Sequence, residues 1–563
     1  MTCHLIDDQI LHEYVEGFLS EEETFRIERH LLECSICRKA EQELRDLFTD
    51  MAALPTGEEP RRDLWPAIAA RIAEPDPFLT SLAESIALRQ VGIATNMVMR
   101  HFDVIVNLDP QQRDAAPTLG YFTQWMEMSG FAHSAFMPYP TCLALAREVF
   151  ARFPRPPRPF LPIVDCAHLH MVEGFFWLHE EEYDQAIRNF LWILSPDVQH
   201  EIGDPDLAAV AGGSLARAYS KKGAYNSALT YADQAIATAL GCNRTQLAAA
   251  IGVVKGWITF QLNQSKEAMK ILEQAESVLR ETDDHLALGN IKAAFGRILK
   301  RHGRYNDALH SYTPAIMEYE LCGSGAQHPN LARSLINKAL LKLLLARRAE
   351  KRGRVASQGN EQLKMRTVER RNTGGQSAQE LRLTASREDL VQANSIYERQ
   401  RDHRGLGSVL LVSALLRFDD GDLADAALDL QKAYILGKEK SDFILMARAR
   451  IQQSMLENAR FEAHHADEKL PGSHAESARS FAEDAVTLAE QTQNTRLIAH
   501  SYIWNGIALL DPYVFDSERA WHCYRKAALL LAPEQGRDLV WDDLQALEKK
   551  LATNAPCHSA TAT

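Results

Sequence analysis

The chain has 563 residues, with 75 acidic against 62 basic side chains and a formal charge of −13. That length excludes a single hydrophobic core and asks for several domains or an elongated repeat array. With 46% hydrophobic and 24% charged residues the composition is that of a chain that folds, and its acidity excludes phosphate binding by the whole surface, so any basic face must be local.

Nine cysteines are spread thinly along the sequence, unlike the dense framework of a small secreted domain, and the start Met-Thr-Cys-His-Leu-Ile-Asp-Asp lacks the basic and apolar regions of a signal peptide. A reducing, cytoplasmic setting is expected. The apolar run Gly405 to Leu416 ends at Arg417, well short of the roughly 20 residues of a membrane span, so no membrane partner is expected.

The first element is the amphipathic segment Asp8 to Phe18. Ser20-Glu21-Glu22-Glu23 then has the form of a capping box, which predicts a helix start. Phe25, Ile27, Leu31 and Leu32 supply its apolar positions. His30 and Cys34, four apart, share one helical face, and Cys37 folds back to the same point if the helix loosens after Cys34. Three soft or borderline ligands in this spacing point to one tetrahedral zinc, with a fourth ligand from His4 or Cys3 and His12 the weaker candidate. Such a site either staples a domain too small to support itself or senses oxidation through its thiolate pair.

These residues resemble the zinc-binding anti-sigma domain, in which a Cys or His is followed by a Tyr-Leu-Asp-Gly-Glu-Leu-Ser-like turn and then His-x3-Cys-x2-Cys. This chain has His4, Tyr14-Val15-Glu16-Gly17-Phe18-Leu19-Ser20, His30, Cys34 and Cys37. The resemblance covers residues 3–45 and departs from the family at the first ligand, where Cys3 and His4 are adjacent. It implies a helical domain, here residues 1–50, that packs against a sigma factor and blocks its access to core RNA polymerase, in some members losing zinc on oxidation.

Prolines and glycine at Pro55, Gly57, Pro60, Pro75 and Pro77 mark residues 51–78 as a linker with one short helix. Residues 79–160 form a helical segment with amphipathic stretches at 78–107 and 141–153 and no clean period between them. Phe153-Pro154-Arg155-Pro156-Pro157-Arg158-Pro159 reads as an extended spacer.

Over residues 161–535 one pattern returns. Its strongest copy is Gly296, Gly303, Tyr305, Ala308, Tyr312 and Ala315. Others carry Gly174, Tyr183, Ala186 and Phe190; Ala216, Tyr219, Gly223, Tyr225, Ala228 and Ala235; weakly, Gly256, Ala268 and Ala275; Ala414, Gly421, Ala426 and Ala433; Ala478 and Ala485; and Gly506, Ala520, Tyr524, Ala527 and Pro533. The pattern resembles the tetratricopeptide repeat, at about 40 residues per copy rather than about 34, like the larger repeats of bacterial regulatory sensors. Seven or eight helical hairpins are expected, stacked into an α-solenoid whose concave face takes a peptide or protein. The fold class is therefore all-α, a small zinc-binding helical domain plus an α-solenoid.

A basic insertion at about 350–386, including Arg352, Arg354, Lys364, Arg370 and Arg371, is expected to interrupt the hairpin Asn330–Ala349 and Arg387–Arg399; it lacks the interleaved aromatics that stack bases. A second loop is expected from Ala463 to His474, and residues 536–563 as a terminal helix and disordered tail. No phosphate-binding loop, zinc-protease motif or nucleophile elbow occurs, and Gly405-Leu406-Gly407 follows a turn between helices rather than a strand. An enzyme is not expected. The chain reads as a regulatory interaction protein, or else as a repeat scaffold with a zinc staple.

Overall fold

A computed structural model describes residues 8–17, 19–52, 76–129, 139–156, 158, 161–322, 328–358, 378–464, 472–492, 494–531 and 538–553. Among them every regular element is an α-helix, and the chain divides into two compact units, residues 1–77 with 154–162, and residues 78–153 with 163–563. Among the described residues no helix is long and apolar enough to cross a membrane. The expected short helix of the linker, the centre of the basic insertion and the C-terminal tail lie outside the described residues.

Among its described residues the first unit has three helices, α1 (Asp8–Glu16), α2 (Glu21–Glu33) and α3 (Ser35–Ala52). Gly17 ends α1 at φ +79°, where a side chain would be strained, and its N–H donates to the Tyr14 carbonyl at 3.2 Å. The capping box is present: Glu23 N–H donates to Ser20 Oγ at 3.4 Å, and Ser20 N–H to Glu23 Oε2 at 3.1 Å. Of the four apolar positions expected along α2, Ile27 and Leu31 are buried with Leu11 and Cys37, whereas Phe25 and Leu32 face solvent. Helical geometry accounts for this, since a step of two residues turns about 200° and takes Phe25 to the side opposite Ile27.

The second unit opens with α4 (Pro77–Ala87), α5 (Val91–Arg100), α6 (Phe102–Val106), α7 (Ala115–Ser129) and α8 (Tyr139–Phe150). The aperiodic stretch of the sequence proves to contain α7, buried at nearly every position including Leu119, Phe122 and Trp125. A helix enclosed on all sides carries no polar face and hence no period to read.

Eight helix pairs follow among the described residues: α9 (Ile163–His179) with α10 (Tyr183–Ile193); after the short α11 (Pro196–Ile202), α12 (Pro205–Lys222) with α13 (Tyr225–Gly241); α14 (Thr245–Gln261) with α15 (Ser265–Leu279); α16 (His285–Arg301) with α17 (Tyr305–Leu321); α18 (Pro329–Gln358) with α19 (Ala378–Gln400); α20 (His403–Asp420) with α21 (Leu423–Glu439); α22 (Phe443–His464) with α23 (Ser473–Glu490); and α24 (Thr495–Ala508) with α25 (Ser517–Leu531). A last helix, α26 (Leu539–Thr553), packs on the final pair. This is a tetratricopeptide-like array of paired helices.

The repeated residues have a packing reason. A Cβ on Gly174 would stand 2.5 Å from the Phe190 ring, and one on Gly296 would stand 2.6 Å from the Tyr312 ring, the same offset in two copies. Glycine on the first helix thus admits an aromatic ring from the second, and the rings are fully buried. The turn between paired helices needs a left-handed residue, supplied by Gly223, Gly303 and Gly421 and, in the weak copy, by Asn263 at φ +64°. Successive copies are tied by ion pairs such as Arg244–Asp206 at 2.9 Å and Arg404–Asp442 at 2.6 Å.

Both insertions are shorter than the sequence suggested. Helices α18 and α19 run on to Gln358 and back to Ala378, and α22 reaches His464 while α23 starts at Ser473. His474, expected in an exposed loop, is held by Glu457 Oε2 at 2.6 Å. Gly405 and Gly407 lie in the first turn of α20, their α-carbons against Tyr397 and Leu445; they are packing glycines, not a phosphate loop.

Helices α4–α8 are bound to the array by polar contacts that no local pattern announces. Arg89 meets Asp284, whose carboxylate is fully buried, at 2.6 Å, and Asp284 Oδ1 also accepts from the Ala287 N–H at the start of α16. Its neighbour Asp283 accepts from the Val91 and Gly92 N–H groups at 2.6 and 2.7 Å, capping α5 from another helix pair. Glu127 of α7 is held between Arg217 at 2.7 Å and His179 at 2.5 Å.

Candidate metal centre

The centre is built at one break in the chain. Cys34 ends α2, its N–H donating to the His30 carbonyl at 2.9 Å, and its own carbonyl accepts from Arg38 N–H at 3.1 Å as α3 begins. With φ −107° and ψ 107° Cys34 is extended, so the helix does not merely loosen there but restarts. This bend carries Cys37, in the first turn of α3, back to the His30–Cys34 face.

The ligand atoms of His30, Cys34 and Cys37 all lie within 4.8 Å of one another, and this is the one group of three or more metal-holding side chains among the described residues. Two observations fit a cation there. His30 Nε2 is buried without a hydrogen-bond partner, an arrangement that a metal bond would satisfy. The Cys34 thiol is pulled down to about 6, first by the backbone N–H of Cys37, with burial opposing and the Ile36 N–H and the Cys37 and His30 side chains assisting. Sulfur at the positive end of a helix is thus prepared as thiolate, the form that binds metal. Two thiolate sulfurs and an imidazole select zinc over magnesium or calcium. His12 is exposed, its ring set edge-on to Phe48 with centroids 6.1 Å apart, and takes no part in the cluster. Cys3 and His4 lie outside the described residues.

The surroundings explain why a metal is needed. Among the described residues four buried side chains, Leu11, Ile27, Leu31 and Cys37, form the core, flanked by half-buried Tyr14, Leu19, Cys34, Ala40 and Leu44. Three short helices around so little apolar surface need a staple. Sequence reasoning brought His30, Cys34 and Cys37 together through their spacing but missed the outward face of Phe25, Leu32 and Ile36, which are 64%, 79% and 42% exposed.

Residues 8–38 match the model of the family described as "Putative zinc-finger". The match is confined to this module, which is a zinc-binding motif of that kind. None of the curated proteins matches the chain. Among solved structures, the apo form of the quorum sensor NprR from B. thuringiensis is similar at 13% identity and a TM-score of 0.41, over 83% of this chain and 100% of that one. A human IFIT1 dimer with m7Gppp-AAAA is similar at 12% identity and a TM-score of 0.41, over 86% and 96%. A signal-transduction ATPase of the STAND class with a tetratricopeptide repeat sensor, from Pyrococcus horikoshii, is similar at 12% identity and a TM-score of 0.37, over 95% and 75%. These values are too low to transfer a function, and the array rests on the chain's own helix pairs.

Proposed function

We propose that the chain is a cytoplasmic regulator whose zinc module docks on a sigma factor or a similar partner and whose repeat array takes a second protein or peptide on its concave face. The observation that carries the reading is the apolar face of Phe25 and Leu32, one above the other on α2, with Ile36 at the start of α3, beside a His30–Cys34–Cys37 site. Exposed apolar groups of this size on so small a unit favour burial against a partner. His4 or Cys3 supplies the fourth ligand in this reading, and one zinc holds the helices that present the face.

The test is binding of the full chain to each sigma factor of its own genome, measured with zinc bound. A Phe25→Ser, Leu32→Ser variant loses the interaction while keeping its zinc, and a Cys34→Ser, Cys37→Ser variant loses both. If no sigma factor binds the wild type, the sigma-factor reading fails. The small core of the module favours the alternative in that case, a repeat scaffold whose zinc is only a staple.

A further inference from the structure

The array contains a set of cations that make no ion pair among the described residues; the opposing charges of Glu181 on Lys221, Asp538 on Lys300 and Asp442 on Arg448 act only at longer range. Lys221 on α12, Arg297 and Lys300 on α16, Arg333 on α18 and Arg448 on α22 have no carboxylate within ion-pair distance among the described residues. Their contacts are neutral: Arg297 lies over the Trp257 ring at 4.7 Å, Lys300 donates to Asn337 Oδ1 at 2.6 Å, and Arg333 reaches the Tyr397 hydroxyl. Most other interior cations are matched, Arg217 by Glu127, Arg404 by Asp442 and Lys342 by Asp389.

All five stand on the first helix of a pair, and they sense one another across intervening pairs. Lys221 lies in electrostatic reach of Arg333 and Arg404, Arg297 of Arg333, and Lys300 of Arg297 and Arg448. Lys221, Arg333 and Arg448 are open to water, yet enclosure by protein, then neighbouring cations, pushes Lys221 down to about 8, and the same two causes do so for Lys300. A side chain that is wet and yet surrounded lines an interior channel, not an outer surface. Like charges facing one another across such a space repel, and low-dielectric walls focus their field on whatever enters.

We infer that the inner face of the array binds an acidic peptide segment, its carboxylates received by Lys221, Arg297, Lys300, Arg333 and Arg448. This rests on the reading of the array as a peptide- or protein-binding surface and names the charge of what it takes. Guanidinium groups suit carboxylates through paired hydrogen bonds. Phosphate would suit them as well, but the aromatic faces that hold single-stranded bases are not open here. Tyr312, Tyr319 and Tyr397 are fully buried, and Arg297 already lies over Trp257.

The experiment is fluorescence anisotropy on the full chain with dye-labelled hexaglutamate, against hexaserine and hexauridylate. Wild type binds hexaglutamate and loses it at high salt. Arg333→Gln with Arg448→Gln weakens binding about tenfold or more, Lys221→Gln weakens it to a lesser degree, and Lys270→Gln with Lys432→Gln, on the exposed second helices α15 and α21, leaves it unchanged. Lys221 touches water and makes no hydrogen bond or ion pair among the described residues, so its substitution reads binding even if the double variant folds poorly. Hexaglutamate binding that survives the inner substitutions overturns the assignment, as does tighter binding of hexauridylate with the same losses, which makes the channel a nucleic-acid site. Binding of hexaserine alone, unaffected by the substitutions, overturns the charge inference while the array remains a peptide surface. Failure of all three ligands overturns both.

Discussion

The two units hold themselves together by different means. Among the described residues the zinc module has a core of four buried side chains and a cluster of metal-holding groups at a helix break. The array has core after core, one of which runs from Tyr312 and Tyr319 of α17 through Leu335 of α18 and Tyr397 of α19 to Leu416 of α20. A unit that cannot bury enough apolar surface must be closed by a metal, whereas a unit that repeats its interface gains stability from each neighbour. The comparison teaches that the same secondary structure serves a metal-closed module and a self-supporting scaffold.

The sharpest way to break the comparison is to remove the metal. Cys34→Ser with Cys37→Ser, or a strong chelator, is expected to cost about one zinc per chain and the helicity of residues 8–52, because structural zinc contributes on the order of 10 kcal/mol or more, while the main melting transition of the array stays in place. Elemental analysis with circular dichroism reads both. A module that keeps its helices without zinc would place its stability in the core after all.

The same site has a pH limit. A thiol whose folded value is depressed favours the folded state above its ordinary range near 9 and loses that advantage as pH falls through its folded value. For Cys34 that value is about 6 before any metal acts, and bound zinc holds the thiolate further down. Zinc is therefore expected to stay bound at pH 7 and to be released below about 6, as a chromogenic chelator would report. Complete release already at pH 7.5 would contradict the assignment.

Within the array the largest effect is expected where a charge is buried. Arg89→Met strands the enclosed Asp284 carboxylate and should cost about 3–5 kcal/mol, read from urea unfolding. Adding Asp284→Asn, which removes the charge and can still cap α16, should restore part of the loss. A Gly296→Ala change pushes a methyl to 2.6 Å from the Tyr312 ring and should cost about 1–3 kcal/mol. Equal stability of that variant would mean the paired helices separate easily. The smallest effect belongs to the module again: Ser20→Ala removes the cap of α2 and is worth about 1 kcal/mol, seen as a modest loss of zinc affinity rather than of fold.

The parts legible in the sequence were those set by neighbours along the chain. The capping box at Ser20 and Glu23, the ligand spacing of His30, Cys34 and Cys37, and the small and aromatic positions from Gly174 to Ala527 are local patterns, because capping, helical faces and the glycine–ring contact act over one turn or one hairpin. The helix at Ala115–Ser129 was hidden, since a segment buried on every side has no period. The outward direction of Phe25 and Leu32 was hidden as well, because hydrophobicity does not say which apolar residues a small core can accommodate.

By itself, then, the sequence determined an all-helical chain with a zinc-ligand set and a repeated hairpin. Only the tertiary structure decided that Arg89 closes on Asp284, that Glu127 joins Arg217, and that cations of α12, α16, α18 and α22 come within electrostatic reach of one another. These contacts join residues of different helix pairs. What brings them together is the stacking of many helix pairs, which no single hairpin encodes.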